Sequence, residues 1–151
     1  APPVFARSIE NMAPLLSIEL LPVAVDGTSQ MERMIEQLVP EDTGLLVLPD
    51  IFTTTNRQSI IALALRRRLA TLYPFKFFAF EGGLMSYAAD VLETYRQAAS
   101  YVDRVLRGTN PADLPIQQPS KFEFVINLRT AKALNLELPP SLIVIADEVI
   151  E

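Results

Sequence analysis

Residues 44–68 read GLLVLPDIFTTTNRQSIIALALRRR, and this stretch decides the fold. Four consecutive apolar residues at 45–48 are typical of a parallel strand buried on both faces, and Pro49 cannot continue its hydrogen-bond ladder. Residues 50–56 are predicted to form a polar loop whose last residues can cap a helix. Apolar residues then recur at helical spacing. The stretch therefore predicts a strand, a loop at its carboxyl end and a helix, and such loops bind ligands in open α/β sheets.

The sequence on either side continues this alternation. It predicts, in order, a helix at 4–13, a strand at 17–25, a helix with a capping box at Ser29 and Glu32, a strand at 70–73, a strand at 84–87, a helix from Asp90 to Gly108, a strand at 122–128, a helix at 130–134 and a helix at 141–150. Up to residue 73 the order is αβαβαβ. That order implies a parallel sheet with right-handed crossovers.

The longest predicted helix is amphipathic. Asp90 can cap its first turn and Gly108 can end it. Its predicted inner face consists of Val91, Tyr95, Ala98, Ala99, Val102 and Leu106. Residues 109–119 contain three prolines and are predicted to run extended over the surface.

Composition excludes several classes of function. The chain has 151 residues, a net charge of −5 and no cysteine or histidine. A negative chain gives no electrostatic reason to bind nucleic acid, and no apolar run approaches the roughly 20 residues of a membrane helix. The thiol nucleophile and the commonest general base are both missing, and the chain contains no phosphate-binding glycine loop. We therefore expect one domain with no cofactor and no metal.

Side chains suited to a small organic ligand lie at the predicted strand ends. These residues are Pro49, Asp50, Phe52, Thr53, Phe75, Ser86 and Tyr87. Aromatic rings, hydroxyls and one carboxylate typically bind small molecules without transforming them. Catalysis by Asp50 is an alternative, but no activating histidine or G-x-S-x-G motif accompanies the hydroxyls.

Several segments carry a family resemblance. They are LLVLPD at 45–50, YPFKFFAFEGGLMSY at 73–87, the long run at 98–141 and ADEVIE at 146–151. In these segments the chain resembles the substrate-binding proteins of ABC transporters, in the group related to tryptophan and aromatic amino-acid binding components. The resemblance implies an α/β fold, namely the parallel-sheet Rossmann-like lobe of a type I periplasmic binding protein, incomplete and with C-terminal return segments.

The resemblance also implies a division of the chain. Residues 1–80 form most of the second Rossmann-like lobe, and residues 81–108 are a strand and helix that return toward an absent first lobe. Residues 109–121 are a proline-rich connector, and residues 122–151 are C-terminal strand and helices. In the complete protein the solute lies between two lobes that close by hinge motion.

On this template the ligand-facing positions are Pro49 and Asp50 with Phe52 and Thr53, and the stretch from Gly83 to Tyr87. Two departures concern this site. The family usually has a glycine after the Ser-Tyr pair, where this chain has Ala88, and the amino-acid-binding branch has an asparagine where this chain has Ile51. The chemical identity of the solute is therefore left open.

The resemblance implies solute capture for an ABC-type importer, without catalysis. The expected partners are a small-molecule solute and a transporter permease, which is the protein's link to the membrane. The full-length form is expected in the periplasm or as an extracytoplasmic lipoprotein, although this chain shows no signal peptide. The apolar surface left by the absent lobe predicts a homo-oligomer or domain-swapped dimer. The alternatives are a ligand-sensing regulatory module and a small α/β enzyme that uses Asp50.

Overall fold

A computed structural model describes residues 3–40 and 43–151 of the chain. The helices are α1 (Pro3–Met12), α2 (Thr28–Glu36), α3 (Ile51–Thr55), α4 (Arg57–Arg66), α5 (Lys76–Phe80), α6 (Val91–Leu106), α7 (Leu128–Leu134) and α8 (Pro140–Val144). The strands are β1 (Gly44–Leu46), β2 (Ala70–Tyr73), β3 (Met85–Ala89), β4 (Phe122–Asn127) and β5 (Glu148–Ile150). Short 3-10 helices lie at Ala13–Leu16 and Pro111–Asp113. Within this part of the chain no helix combines the length and the hydropathy needed to span a membrane.

The strands form one mostly parallel sheet in the order β1-β2-β3-β4-β5. β1, β2 and β3 are parallel, β4 runs antiparallel to β3, and β5 is parallel to β4. Helices α3 and α4 connect β1 to β2, and α5 connects β2 to β3, as parallel pairing requires. The predicted α/β class with a parallel sheet is confirmed.

The main core lies between this sheet and the helices that precede and follow β1. Its buried residues are Met31, Ile35, Val47, Ile60, Ile61, Leu63, Ala64, Leu69, Tyr73 and Phe78. A second cluster joins Leu84 to Ala131 and Leu134 of α7. The apolar residues of α2 and the apolar repeat predicted for α4 therefore face the core. Among the aromatic residues at 75–80, Phe78 is buried, Phe75 and Phe77 pack against the same core cluster, and Phe80 at the end of α5 is exposed.

The helix predicted at 4–13 is confirmed as α1, but the strand predicted at 17–25 is wrong. Residues 18–25 belong to no strand, and Leu21 and Val23 are exposed. Alternating apolar residues form a strand only where a neighbouring strand completes the hydrogen bonds, and the described sheet begins at β1. The capping box is also wrong, because α2 begins at Thr28 with Gly27 in the capping position.

Three details of the central stretch differ from the prediction. β1 is not buried on both faces, since it lies at the end of the described sheet and Leu46 is exposed. Residues 51–55 form the short helix α3 instead of a loop, because the Asp50 carboxylate caps its first turn. The predicted helix after Asn56 is confirmed as α4, but the Asn56 side chain donates to the Phe52 carbonyl and does not cap α4.

The predicted single helix at 141–150 is wrong as well. α8 ends at Val144, and Glu148–Ile150 forms β5 beside β4. The Asp147 carboxylate accepts a hydrogen bond from the Phe124 amide, which holds the start of β5 against β4. A short apolar run cannot be assigned to helix or strand by its own pattern. Here the pairing with β4 makes residues 148–150 a strand.

Helix α6 has no buried residue along its whole length. Its predicted ends are confirmed: Asp90 caps the first turn, and Gly108 has φ of +98° after the last one. Its predicted inner face is not buried, because Val91, Tyr95 and Val102 remain exposed. An amphipathic helix with an uncovered apolar face needs another surface to pack against.

The packing around Gly83 gives a test of this core. A Cβ atom at Gly83 would lie 2.6 Å from Tyr73 Cε2 and 2.8 Å from the Phe78 carbonyl oxygen. We expect Gly83→Ala to lower the free energy of unfolding by about 1–3 kcal/mol through overpacking, measured by urea denaturation. Gly44→Ala is the matched control, since its Cβ would stand 3.5 Å from the Ala70 oxygen, an ordinary contact. Equal unfolding midpoints for both variants would contradict the packing described.

Candidate functional site

The three parallel strands bring their carboxyl ends to one edge of the sheet. Leu46 of β1 is level with Leu72 of β2, which is level with Met85 of β3. The segments that follow these positions therefore meet at the same edge, which we call the carboxyl edge. At this edge Asp50 follows β1, Phe75 follows β2, and Tyr87 lies near the carboxyl end of β3.

The segment after β1 is held by its own side chains. Asp50 Oδ1 accepts a hydrogen bond from the Phe52 amide at 2.8 Å. Thr53 Oγ1 donates to the carbonyl oxygens of Leu48 and Asp50 at 2.9 and 3.1 Å. The Phe52 amide bond is the main cause of a lowered pKa for the Asp50 carboxyl, which is therefore ionised at neutral pH.

The residues of this segment differ in their access to solvent. Pro49, Asp50, Phe52 and Thr53 are half-buried. Ile51, the residue that departs from the family pattern, is 86% exposed. The segment thus presents an apolar side chain beside a carboxylate at the carboxyl edge.

Phe75 follows β2 and packs against the aromatic residues of α5. Its ring is half-buried and stacks on Phe77 with 5.3 Å between ring centroids. Phe77 in turn stacks on the fully buried Phe78. Phe75 is therefore partly accessible and is anchored to the core.

Gly83 and Ser86 lie in the interior. Gly83 makes room for the Tyr73 ring, and Ser86 is level with Tyr73 in the sheet and only 1% exposed. The Ser86 hydroxyl has no hydrogen-bond partner among the described residues. Burial raises the pKa of the Tyr73 hydroxyl to about 12, so this ring is neutral. Ser86 and Tyr73 thus form the interior behind the carboxyl edge, whereas Gly83 precedes β3 at the amino end of that strand.

Tyr87 is the most accessible aromatic residue among those predicted for the site. It is 55% exposed and stacks on Phe122, with 5.6 Å between ring centroids and 9° between ring planes. Phe124 meets Tyr87 edge-on at 6.2 Å. The sequence analysis did not find Phe122, because its place beside Tyr87 depends on antiparallel pairing with a strand 33 residues later in the chain, where Ala89 is opposite Phe122.

The chain leaves the sheet at Asp90 and returns at Lys121. Asp90 is buried, and its Oδ1 accepts hydrogen bonds from the Leu92 and Glu93 amides. Lys121 Nζ lies 2.9 Å from Asp90 Oδ2, and the Asp90 amide donates to the Lys121 carbonyl oxygen. The hydrogen bond from Lys121 is the main cause of an Asp90 pKa of about 2, and Asp90 raises the pKa of Lys121. The sequence predicted the cap but not this ion pair.

The predicted site residues thus fall into two groups. Pro49, Asp50, Phe52, Thr53, Phe75 and Tyr87 lie along the carboxyl edge with accessible surface, whereas Gly83 and Ser86 are buried. The edge offers aromatic faces, one exposed aliphatic side chain and an ionised carboxylate. Such a surface suits the reversible binding of an organic molecule.

This fold and edge define an α/β lobe of the kind that carries ligands at its strand ends. The chain belongs to the family of ABC transporter substrate binding proteins, whose sequence model matches residues 4–150. The family resemblance stated from the sequence is therefore confirmed. The search of curated proteins returned no significant match.

Solved structures show the same fold. A conserved domain protein from Vibrio cholerae O1 biovar eltor is 18% identical with a TM-score of 0.87, covering 97% of this chain and 49% of that one. The ABC domain in complex with L-Trp from Streptococcus pneumonia is 20% identical with a TM-score of 0.85, and the match covers 97% of this chain and 50% of that one. The ligand-free, open substrate binding protein with adhesive properties from Clostridium difficile is 14% identical with a TM-score of 0.72, and the match covers 98% of this chain and 49% of that one. This chain therefore spans about half the length of these structures, which agrees with a partial periplasmic-binding-protein fold.

The Asp90–Lys121 pair predicts a pH dependence of stability. The Asp90 pKa falls from 3.8 to about 2 on folding, so its contribution is present above pH 3.8 and is lost as the pH falls toward about 2. Asp90→Asn keeps a capping oxygen but removes the charge. We expect it to lower the midpoint of thermal unfolding at pH 7, with the difference from wild type disappearing near pH 2.

The matched control is Asp103→Asn, which removes an exposed carboxylate paired with Arg107 on α6. An exposed pair contributes little, so this variant should melt with the wild type at pH 7. A constant difference between Asp90→Asn and wild type from pH 2 to pH 7 would show that the ion pair does not stabilise the fold.

Proposed function

We propose that this chain binds a small organic solute for an ABC-type importer and does not catalyse a reaction. The observation that carries the proposal is the meeting of three parallel strand ends at one edge lined by aromatic, aliphatic and carboxylate groups. Membership of the substrate-binding family supports it. The chain's lack of histidine and cysteine, and the engagement of Asp50 in capping α3, also favour binding over catalysis.

The proposed ligand contacts are the accessible residues of the carboxyl edge, Pro49, Asp50, Phe52, Thr53, Phe75 and Tyr87. Gly83 and Ser86, which were also predicted to bind the ligand, are buried and are not among these accessible residues. The rigid hydrogen bonds of Thr53 and the core contacts of Phe75 reduce the entropy that must be lost when a solute binds.

We further propose that the solute is held between this lobe and another. In this division residues 1–80 are most of one lobe, residues 81–108 return toward the other, residues 109–121 connect, and residues 122–151 complete the body. The uncovered α6 and the half-length match to solved structures support it. The complete protein would deliver its solute to a transporter permease from the periplasm, or as an extracytoplasmic lipoprotein, without itself entering the membrane.

The solute class can be tested on the full-length protein with a thermal-shift panel of amino acids, aromatic acids, sugars and short peptides. L-Tryptophan is the first probe, because the similar streptococcal protein was solved with L-Trp. We expect a panel member to raise the melting temperature by several degrees through binding to the folded state. Tyr87→Ala and Phe52→Ala should each reduce that shift, because both rings lie at the carboxyl edge.

Phe80→Ala is the matched control for the panel. Phe80 is 51% exposed and ends α5 just before β3 begins, toward the opposite edge of the sheet. Its loss should leave the ligand-induced shift unchanged. If Tyr87→Ala and Phe52→Ala also kept the full shift, the proposed site would be wrong.

The apolar face of α6 gives a prediction about assembly. We propose that this chain by itself forms a homo-oligomer or domain-swapped dimer by covering that face. Light scattering should then give a mass above the 16.8 kDa of one chain. Val102→Glu places a charge on the exposed apolar face and should favour the monomer, whereas Ser100→Glu, on the polar face, should not. A well-behaved wild-type monomer at high concentration would refute this proposal.

A further inference from the structure

The guanidinium group of Arg57, the first residue of α4, contacts the two neighbouring helices. Its Nε donates to both carboxylate oxygens of Glu81, at 3.0 and 2.8 Å, and Glu81 directly follows α5. Its Nη1 donates to the Thr54 carbonyl oxygen of α3 at 3.2 Å. Its Cζ lies 5.7 Å from the centroid of the Phe77 ring of α5, a cation–π distance. One side chain therefore joins α3, α4 and α5.

Helix α3 needs contacts of this kind. Five residues are too few for a helix to be stable through its own hydrogen bonds. Asn56 separates α3 from α4, and its side chain bonds the Phe52 carbonyl instead of capping α4. The Asp50 carboxylate holds the first turn of α3, and the bond from Arg57 to the Thr54 carbonyl holds the last turn against α4.

The same guanidinium lies over a stack of three aromatic rings. Phe77 is the middle ring, with its centroid 5.3 Å from that of Phe75 and 5.0 Å from that of the buried Phe78. Phe75 is one of the proposed ligand contacts at the carboxyl edge. Arg57 therefore contacts, through Thr54 and Phe77, both the segment after β1 and the segment after β2.

The chemistry of these contacts requires an arginine. Arg57 and Glu81 are half-buried, and Glu81 also accepts a hydrogen bond from the Gln58 side chain. A guanidinium carries its N–H groups in a fixed plane, so it can bond a carboxylate and a carbonyl at once while its face lies on a ring. A lysine ammonium at this position would keep the charge but not this geometry.

We propose that Arg57 is a positioning residue of the solute site, which fixes the segments after β1 and β2 relative to each other. This role rests on the proposed solute-binding function and goes beyond it, because Arg57 acts through Phe52, Thr53 and Phe75 without touching the solute. Loss of the guanidinium loosens α3 and the ring stack together. The site must then be ordered when the solute binds, so affinity falls although every contact residue is still present.

Hydrogen exchange measured by NMR on the ligand-free, full-length protein tests the positioning directly. The reporter amides, all hydrogen-bonded within the two segments, are those of Thr54, Asn56, Phe78 and Glu81. We expect Arg57→Gln to speed their exchange about fivefold to tenfold, the effect of losing a hydrogen bond to a charged group, and to leave the interior of α4 unchanged. Arg57→Lys should behave like Arg57→Gln at the two α3 amides.

Arg66→Gln is the matched control, because it removes an exposed pair with Glu36 at the other end of α4. It should exchange like the wild type. Isothermal titration with L-tryptophan then measures the effect on binding, and the panel member that raises the melting temperature replaces L-tryptophan if the wild type gives no heat with it. We expect Arg57→Gln to bind about threefold to tenfold more weakly than the wild type, and Arg66→Gln to bind equally well.

The outcomes distinguish the positioning role from solute binding itself. Unchanged exchange in Arg57→Gln overturns the role, and so does a rise shared equally by α3, α5 and the core strands, since that is a loss of global stability alone. Wild-type protection of the α3 amides in Arg57→Lys shows that charge suffices and overturns it too. Faster exchange at the reporter amides with unchanged solute affinity also overturns it. Wild type that binds no panel member overturns the proposed function, and with it any part for Arg57 in binding.

Discussion

Parallel hydrogen bonding among β1, β2 and β3 is the constraint on which the rest of the structure depends. Parallel strands cannot be joined by tight turns, so the chain crosses back through α3 and α4 after β1 and through α5 after β2. Those crossovers place the segments after Leu46, Tyr73 and Ala89 at one edge. The polar and aromatic residues of these segments become neighbours for this reason, although they are far apart in sequence.

Close packing inside the sheet and an ion pair at its edge hold the strands that carry the site. Gly83 lets the Tyr73 ring and the Phe78 carbonyl approach the backbone more closely than any side chain would permit. The Asp90–Lys121 pair then ties the strand that leaves the sheet to the strand that returns. Together these contacts hold the strands of the sheet in place, whereas the apolar face of α6 remains exposed.

Local signals predicted those elements whose cause is local. The β2 strand, the helix cap at Asp90 and the helix end at Gly108 follow from residue type and spacing. Residues 18–25 and 148–150 were assigned wrongly, because an apolar segment becomes a strand only when another strand is available to pair with it. Among the site residues, Asp50 and Tyr87 could be predicted from strand ends, but Phe122 could not, since its position comes from the antiparallel pairing of β3 with β4.

The sequence by itself determined the α/β class, the family and the candidates at the strand ends, because apolar periodicity, proline positions and specific motifs act over a few residues. The tertiary structure decided which candidates are accessible, placing Tyr87 at the surface and Ser86 in the interior one residue away. It also decided that the long amphipathic helix stays uncovered. Burial depends on which surfaces meet in space, and a one-dimensional pattern shows that a face is apolar without showing what covers it.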